Sequence, residues 1–249
     1  MTAPPGLATR TESEGIRFGL VELDLLATHA GTRFPFPLRV PDFGRIDGER
    51  EVLLAAAGVT LRTRGLAGGR GPLGFAAELV TALREYRGTV DLVLADPGST
   101  IGVVAMVYRS WALICRQPLT GALTTGVSVR RVAQNALAEE LIGMVPEVAP
   151  AQAMPITVSP DRDDPGLLHD LGGLVGELTG SGQLGATRVR SGKVARHELE
   201  LSWLDGPGGR VRVDRAADGW LSVNPLRRNH IRLALDDLAM TARREDDGT

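Results

Sequence analysis

Cysteine is almost missing from this chain of 249 residues: Cys115 stands alone, which excludes an intrachain disulfide. It lies in an apolar stretch, so a buried and inert thiol is expected. Lysine is equally scarce, with Lys193 the only one among 28 basic residues. The arginine bias reads first as genomic composition and only second as a demand for bidentate contacts. Neither sign of charge prevails, because the net charge is −2. That balance excludes a global attraction to nucleic acid or anionic lipid. No hydrophobic run is long enough for a bilayer: the longest, residues 101–115, is interrupted by Arg109 and Ser110. Residues 1–14 lack a charged segment followed by an apolar one, so no secretory signal is expected. These absences point to a soluble, cytosolic protein with no membrane insertion.

Sequence signatures of catalysis are missing too. His29, His169, His197 and His230 show no metal-ligand spacing, and there is no CxxC pair. His197-Glu198 has no second histidine to complete a zinc-protease helix. Residues 65–71 are glycine-rich but match neither phosphate-binding pattern, and no strand is expected before them. Ser181 and Ser191 sit beside glycines outside any nucleophile elbow. Glu139-Glu140 and Asp236-Asp237 read as solvated helix faces. Arg130-Arg131 and Arg227-Arg228 are basic pairs, but no basic stripe interleaves with aromatics, so nucleic acid is not the expected partner. No cofactor and no metal is implied.

What the sequence does hold is a core. Apolar residues make up 43% and charged ones 23%, which excludes wholesale disorder and allows one large domain or two small ones. Residues 1–14 read as a loose leader and 244–249 as a loose tail. A short strand is expected at 16–18 and a helix around 21–29. The alternate prolines of 34–41 force an extended path, with aromatics that staple the leader to the core. A second helix is expected over 48–64, and a third from Pro72 to about residue 86, with Leu73, Ala76, Val80 and Leu83 on one side. Period-two alternation then predicts strands near 90–94, 101–108, 111–117 and 122–132, with a turn at Asp96-Pro-Gly-Ser99. A helix over 134–145 follows, then a proline-rich crossing at 146–160.

The second half repeats that order. It has a helix over 165–179 capped by Asp164 and closed by Gly180, strands at 183–189 and 197–204, and a hairpin loop at Asp205-Gly-Pro-Gly-Gly209. Two further strands and a helix over 225–243, capped by Asn224 and begun by Pro225, complete it. The strand before each final helix recurs after about ninety residues, too far for a solenoid. The expected class is α+β: two halves, about 15–148 and 162–243, sharing one antiparallel sheet within a single domain over 15–243, with helices on one face.

Three segments carry a family likeness. They are Val21-Glu-Leu-Asp-Leu-Leu26 followed by Phe34-Pro-Phe-Pro-Leu-Arg-Val-Pro41; Gly182-Gln-Leu-Gly185; and Ser202-Trp-Leu-Asp205 with Gly209-Arg-Val and Gly219-Trp-Leu-Ser-Val-Asn-Pro225. In this order and spacing the chain resembles the EspG family, the ESX (type VII) secretion-associated chaperones of actinobacteria. The resemblance implies a quasi-twofold fold with a central antiparallel sheet flanked by helices. It implies no catalysis. It implies a PE–PPE-like or other helical type VII secretion substrate as client, bound at its apolar tip before export. In the family, client contact uses the loop between the second and third strands, the open part of the sheet and the C-terminal helices. Carried over, that loop is Asp96, Pro97, Gly98, Ser99, Thr100 and Ile101, with Ile101 as anchor and Ser99 and Thr100 as adaptable polar contacts. Arg227, Arg228 and Ile231 are weaker candidates on the last helix. Two other classes compete: a scaffold that forms homo-oligomers or a weak homodimer through strand edges, and an enzyme with an unrecognised site.

Overall fold

The structure, a computed structural model, describes residues 15–46, 48–121, 126–158, 172, 176–190 and 192–244. A short strand, β1 (Ile16–Phe18), leads into helix α1 (Leu20–Ala30). Gly19 precedes α1, and its amide donates to Glu22 Oε2 at 2.8 Å, which satisfies one orphan donor of the first turn. Gly31 ends the helix in the left-handed region at φ 67°, where a side chain would be strained. Helix α2 (Glu49–Thr63) packs on α1. Two bridges fix the pair: Arg50 donates to both carboxylate oxygens of buried Asp24 at 2.8 Å, and Arg64 donates to Glu22 at 2.8 and 2.9 Å. A two-rung hairpin, β2 (Ala67–Gly68) and β3 (Gly71–Pro72), precedes helix α3 (Gly74–Glu85). Pro72 therefore belongs to a strand and not to the first turn of the helix, and a strand does touch the glycine-rich stretch.

The sheet strands follow: β4 (Gly88–Asp96), β5 (Ser99–Tyr108), β6 (Trp111–Pro118) and β7 (Val127–Ala133). A single 3-10 turn at Gln134–Ala136 leads into helix α4 (Leu137–Ile142). The crossing segment supplies β8 (Ile156–Val158). The second half holds β9 (Gly180–Arg190), β10 (Lys193–Arg196), β11 (Leu201–Gly206), β12 (Gly209–Arg215), β13 (Leu221–Pro225) and helix α5 (Arg228–Arg243). The helix expected over 165–179 lies largely outside the described residues.

Strand order is β1-β7-β6-β5-β4-β9-β11-β12-β13-β8, with β10 paired to β9 beside the path. All of these neighbours are antiparallel. The order reads as a palindrome about the seam between β4 and β9, where Val90 faces Ala186 and Leu92 faces Leu184. On each side three further strands run outward to an edge strand drawn from an earlier segment. The two-halves topology is thus visible in the pairing itself.

Helices lie on both faces, not on one. Val104, Met106, Leu113, Cys115 and Val129 pack with α1, α2 and α3 in one cluster. Val90, Leu92, Val103, Ala105, Val107, Ile114, Leu184 and Trp203 pack with α4 and α5 in another. Successive side chains of a strand point to opposite faces. Covering both faces therefore requires an unbroken apolar run, which is what residues 101–107 provide.

Local chemistry also moved the last helix. Asn224 and Pro225 pair with Arg212 and Val211 as strand residues, and α5 begins three residues after Pro225 with Arg227 at its N-cap. The sheet register claims Pro225 before the helix can, because proline lacks only a donor that an end-of-strand position does not need. Residues 34–41 are not helical, as expected, but they do not run extended throughout: the Leu38 amide donates to the Pro35 carbonyl at 3.2 Å and closes a turn at Phe36 and Pro37, whose peptide bond is cis. Phe34 packs on the core, whereas Phe36 is exposed.

Candidate functional site

The β4–β5 turn closes in two residues, Pro97 and Gly98, because Asp96 pairs with Ser99 across it. Asp96 Oδ1 accepts from the Gly98 amide at 2.9 Å, the local bond that makes an Asp at this position a turn former. Asp96, Pro97 and Gly98 are exposed, and Ser99 and Thr100 are half-buried. The stem is clamped from its far side. The Thr100 amide donates to Thr120 Oγ1 at 3.0 Å, and the Thr100 carbonyl accepts from the Leu119 amide at 2.7 Å. Ile101 faces Leu94 and is half-buried against the cluster that contains α5. The turn is therefore a rigid, projecting tip on an apolar stem.

The three residues of the last helix are placed differently from one another. Arg227 is exposed at the N-cap. Arg228 donates to the Val145 carbonyl at 2.8 Å and to the Ile142 carbonyl at 2.7 Å. Ile142 ends α4 and Val145 follows three residues later, its amide donating back to the Ile142 carbonyl at 3.1 Å, so Arg228 caps the C-terminal turn of a neighbouring helix. Ile231 is fully buried in the core and presents no surface. Ile101 and Ile231 share one apolar cluster, while the tip of the hairpin and Arg227 remain exposed.

Charged groups at the seam were not apparent from the sequence. Asp91 on β4 is buried, and Arg196 of β10 reaches it with both terminal nitrogens while its Nε donates to Glu200 at 2.6 Å. Burial pushes the Asp91 carboxyl above the usual carboxylate range, opposed by its bonds to Arg196. Burial likewise works against the Arg196 charge, but the hydrogen bonds it donates to Asp91 and Glu200 outweigh it and hold the guanidinium above its ordinary value. Gly185 makes this crossing possible, since a Cβ there would stand 2.3 Å from an Arg196 nitrogen. In the second half, Arg210 is fully buried and grips Asp205 with Nε at 2.6 Å and Nη2 at 2.8 Å.

Several other charged groups are engaged in structure. Arg130 pairs with Glu140 at 2.6 Å, and Arg131 with Glu78 at 2.7 Å, so this basic pair is split between two partners. Arg232 pairs with Glu139 at 3.1 Å. Burial pushes the Cys115 thiol up to about 12, which leaves it protonated at neutral pH and unreactive. Among the described residues no group of three or more His, Cys, Asp or Glu side chains is placed to hold a metal ion. Also among them, no helix is long and apolar enough to cross a membrane.

What this arrangement offers is a projecting polar turn on an apolar stem beside an amphipathic helix. The EspG family model matches residues 20–237, from α1 to near the end of α5. The chain belongs to the EspG family. No curated protein matches it by sequence. Among solved structures it is similar to the Mycobacterium tuberculosis type VII secretion system chaperone EspG5, solved in complex with a PE25–PPE41 dimer. The two share 14% identity over 91% of this chain and 96% of that one, with a TM-score of 0.65. At that identity the likeness speaks for the fold, a central antiparallel sheet flanked by helices, and this EspG-family chain has that fold over nearly its whole length.

Proposed function

We propose that this protein is a chaperone of type VII secretion that holds a helical, PE–PPE-like substrate soluble in the cytoplasm until export. One observation carries the reading: an EspG-family match along the chain coincides with the fold of a chaperone solved with its PE–PPE dimer bound. The protein acts by covering surface and makes or breaks no covalent bond. An apolar helical tip left in water aggregates or finds wrong partners, and a rigid ledge of sheet and helix removes that surface from solvent. We assign contact to the hairpin residues Asp96, Pro97, Gly98, Ser99, Thr100 and Ile101, with Arg227 at the rim. Arg228 and Ile231 support the ledge from within. We take residues 15–243 as the single working unit.

Co-expression with a PE–PPE-like pair encoded nearby, followed by size-exclusion chromatography, tests the reading. A stoichiometric complex is expected; repeated elution of the chain alone contradicts it. Ile101→Asp is expected to weaken the complex while circular dichroism stays native, because a charge at a desolvated anchor is costly. Unchanged affinity removes Ile101 from the contact.

A further inference from the structure

The end of β9 and the short strand β10 form a hairpin arm. β10 pairs with β9 alone, Lys193 opposite Arg190 beside the tip and Arg196 opposite Thr187 at the base. All four residues of β10 are exposed, Val194 at 58%. The other edge of β10 is unpaired among the described residues. The His197 amide donates to the Ala186 carbonyl at 2.8 Å, and an antiparallel ladder alternates. Lys193 and Ala195 therefore turn their backbone groups to β9, while Val194 and Arg196 turn theirs outward. Such an edge is a template for one more strand.

The charge of the arm has one sign. Arg188, Arg190, Lys193 and Arg196 fall within it and no carboxylate intervenes, in a chain whose net charge is −2. Arg196 is engaged by Asp91 and Glu200. Arg190 and Lys193 are exposed and take part in no ion pair among the described residues. Leu184 and Ala186 belong to the α4–α5 cluster, so the alternation of β9 puts Arg190 on that side, with Lys193 opposite it. Val194 stands on the other side. Two cations beside an open edge repel a basic strand, a second β10 included. They attract a strand with carboxylates on the α4–α5 side and an apolar residue on the Val194 side.

We propose that the arm is a docking site for an extended acidic segment of another protein, added as a strand to the β10 edge. Backbone bonds to Val194 and Arg196 hold the segment. Its carboxylates, at alternate positions, meet Arg190 and Lys193, and the apolar residue between them covers Val194. β4 and β9 are antiparallel, so the arm at the end of β9 and the β4–β5 turn lie at opposite ends of the seam, about 30 Å apart along the strands. The segment and a client on the β4–β5 turn can be bound together, and the arm needs no client to bind its own partner.

Fluorescence anisotropy with the full chain and a labelled short peptide alternating Glu with Val tests the proposal. Saturable binding is expected, weakening at least tenfold from low to high salt. A peptide of the same composition in two blocks is expected to bind at least tenfold more weakly. Arg190→Glu/Lys193→Glu is expected to lose the Glu–Val peptide and to bind a Lys–Val one. Val194→Pro removes an outward amide, no bond to β9 and no charge, and is expected to weaken binding at least tenfold with native circular dichroism. The unaltered chain gives the same readout. The peptide residue opposite Val194 shares its face, so methylating the amides of the peptide's valines should abolish binding and methylating those of its glutamates should not. No binding at low salt overturns the proposal. So does equal binding of the block peptide or of a nucleic-acid strand of equal charge, which makes the contact one of charge alone. Binding that emerges only after removal of residues 245–249 assigns the arm to the chain's own acidic end, Glu245-Asp246-Asp247, and overturns it as well.

Discussion

Every residue of β5 from Gly102 to Tyr108 is buried, whereas in β11 Ser202 and Leu204 are only half-buried. The two strands hold matching positions on either side of the β4–β9 seam. On the first side α1–α3 and α4–α5 enclose the sheet, and cohesion within the sheet comes from apolar contact, the bridges to buried Asp24 and Glu22 lying between the covering helices α1 and α2. On the second side charged pairs stand within or beside the sheet: Arg210 with Asp205, Arg212 with Asp214, and Arg196 with Asp91 across the seam. The difference teaches that a shared topology does not fix what holds it. Stability should follow side-chain volume on the first side and charge pairing on the second.

Arg210→Met sharpens the contrast most. It leaves Asp205 buried without its partner and should cost about 3–5 kcal/mol by urea unfolding, because an uncompensated buried charge is the expensive part of such a pair. Asp205→Leu/Arg210→Met together should recover most of that loss. If the single change is mild, the second half is not held by charge. On the first side Met106→Ala, fully buried, should cost about 2–5 kcal/mol with no rescue by any charge change. Arg228→Met should cost about 1.5–3 kcal/mol, since charge-assisted bonds to the carbonyls at the end of α4 are lost. A smaller effect concerns pH. The folded protein holds the Asp91 proton more tightly than the unfolded chain does. Stability should therefore fall as pH rises through the interval between the ordinary aspartate value and the raised one, then level off. Arg196→Ala should widen that interval towards higher pH, and Asp91→Asn should abolish the fall. Asp96→Ala should have the smallest effect, under about 1 kcal/mol, because the turn bond it removes is exposed.

Much of the first half is legible in its sequence. The alternation of 90–94, the unbroken apolar run of 101–107 and the Asp-Pro-Gly-Ser turn all act through near neighbours, and the strands lie where these signals put them. That same run also carried the information that both faces are covered, although period alone does not say by which helices. The second half is harder to read because its decisive contacts are distant. Arg210 looks like any outward arginine of an alternating strand until the Pro146 carbonyl, 64 residues earlier, accepts from it at 3.1 Å. Arg228 looks like a free basic residue until the end of α4 folds onto it. Lys193 to Arg196 contain too little apolar character to announce a strand, and only the antiparallel pairing of β10 with β9 makes them one. For the candidate site, the turn was readable, its clamp by Thr120 was not, and Ile231 proved to be core because the whole of α5 lies on the seam.

The central claim is stoichiometric masking of an apolar helical surface. It is tested most directly by light scattering from a purified PE–PPE-like client, titrated with this chain. Aggregation should fall in proportion to the chain added and cease near one molar equivalent. Suppression by a small fraction of an equivalent, or none at any ratio, would contradict the account.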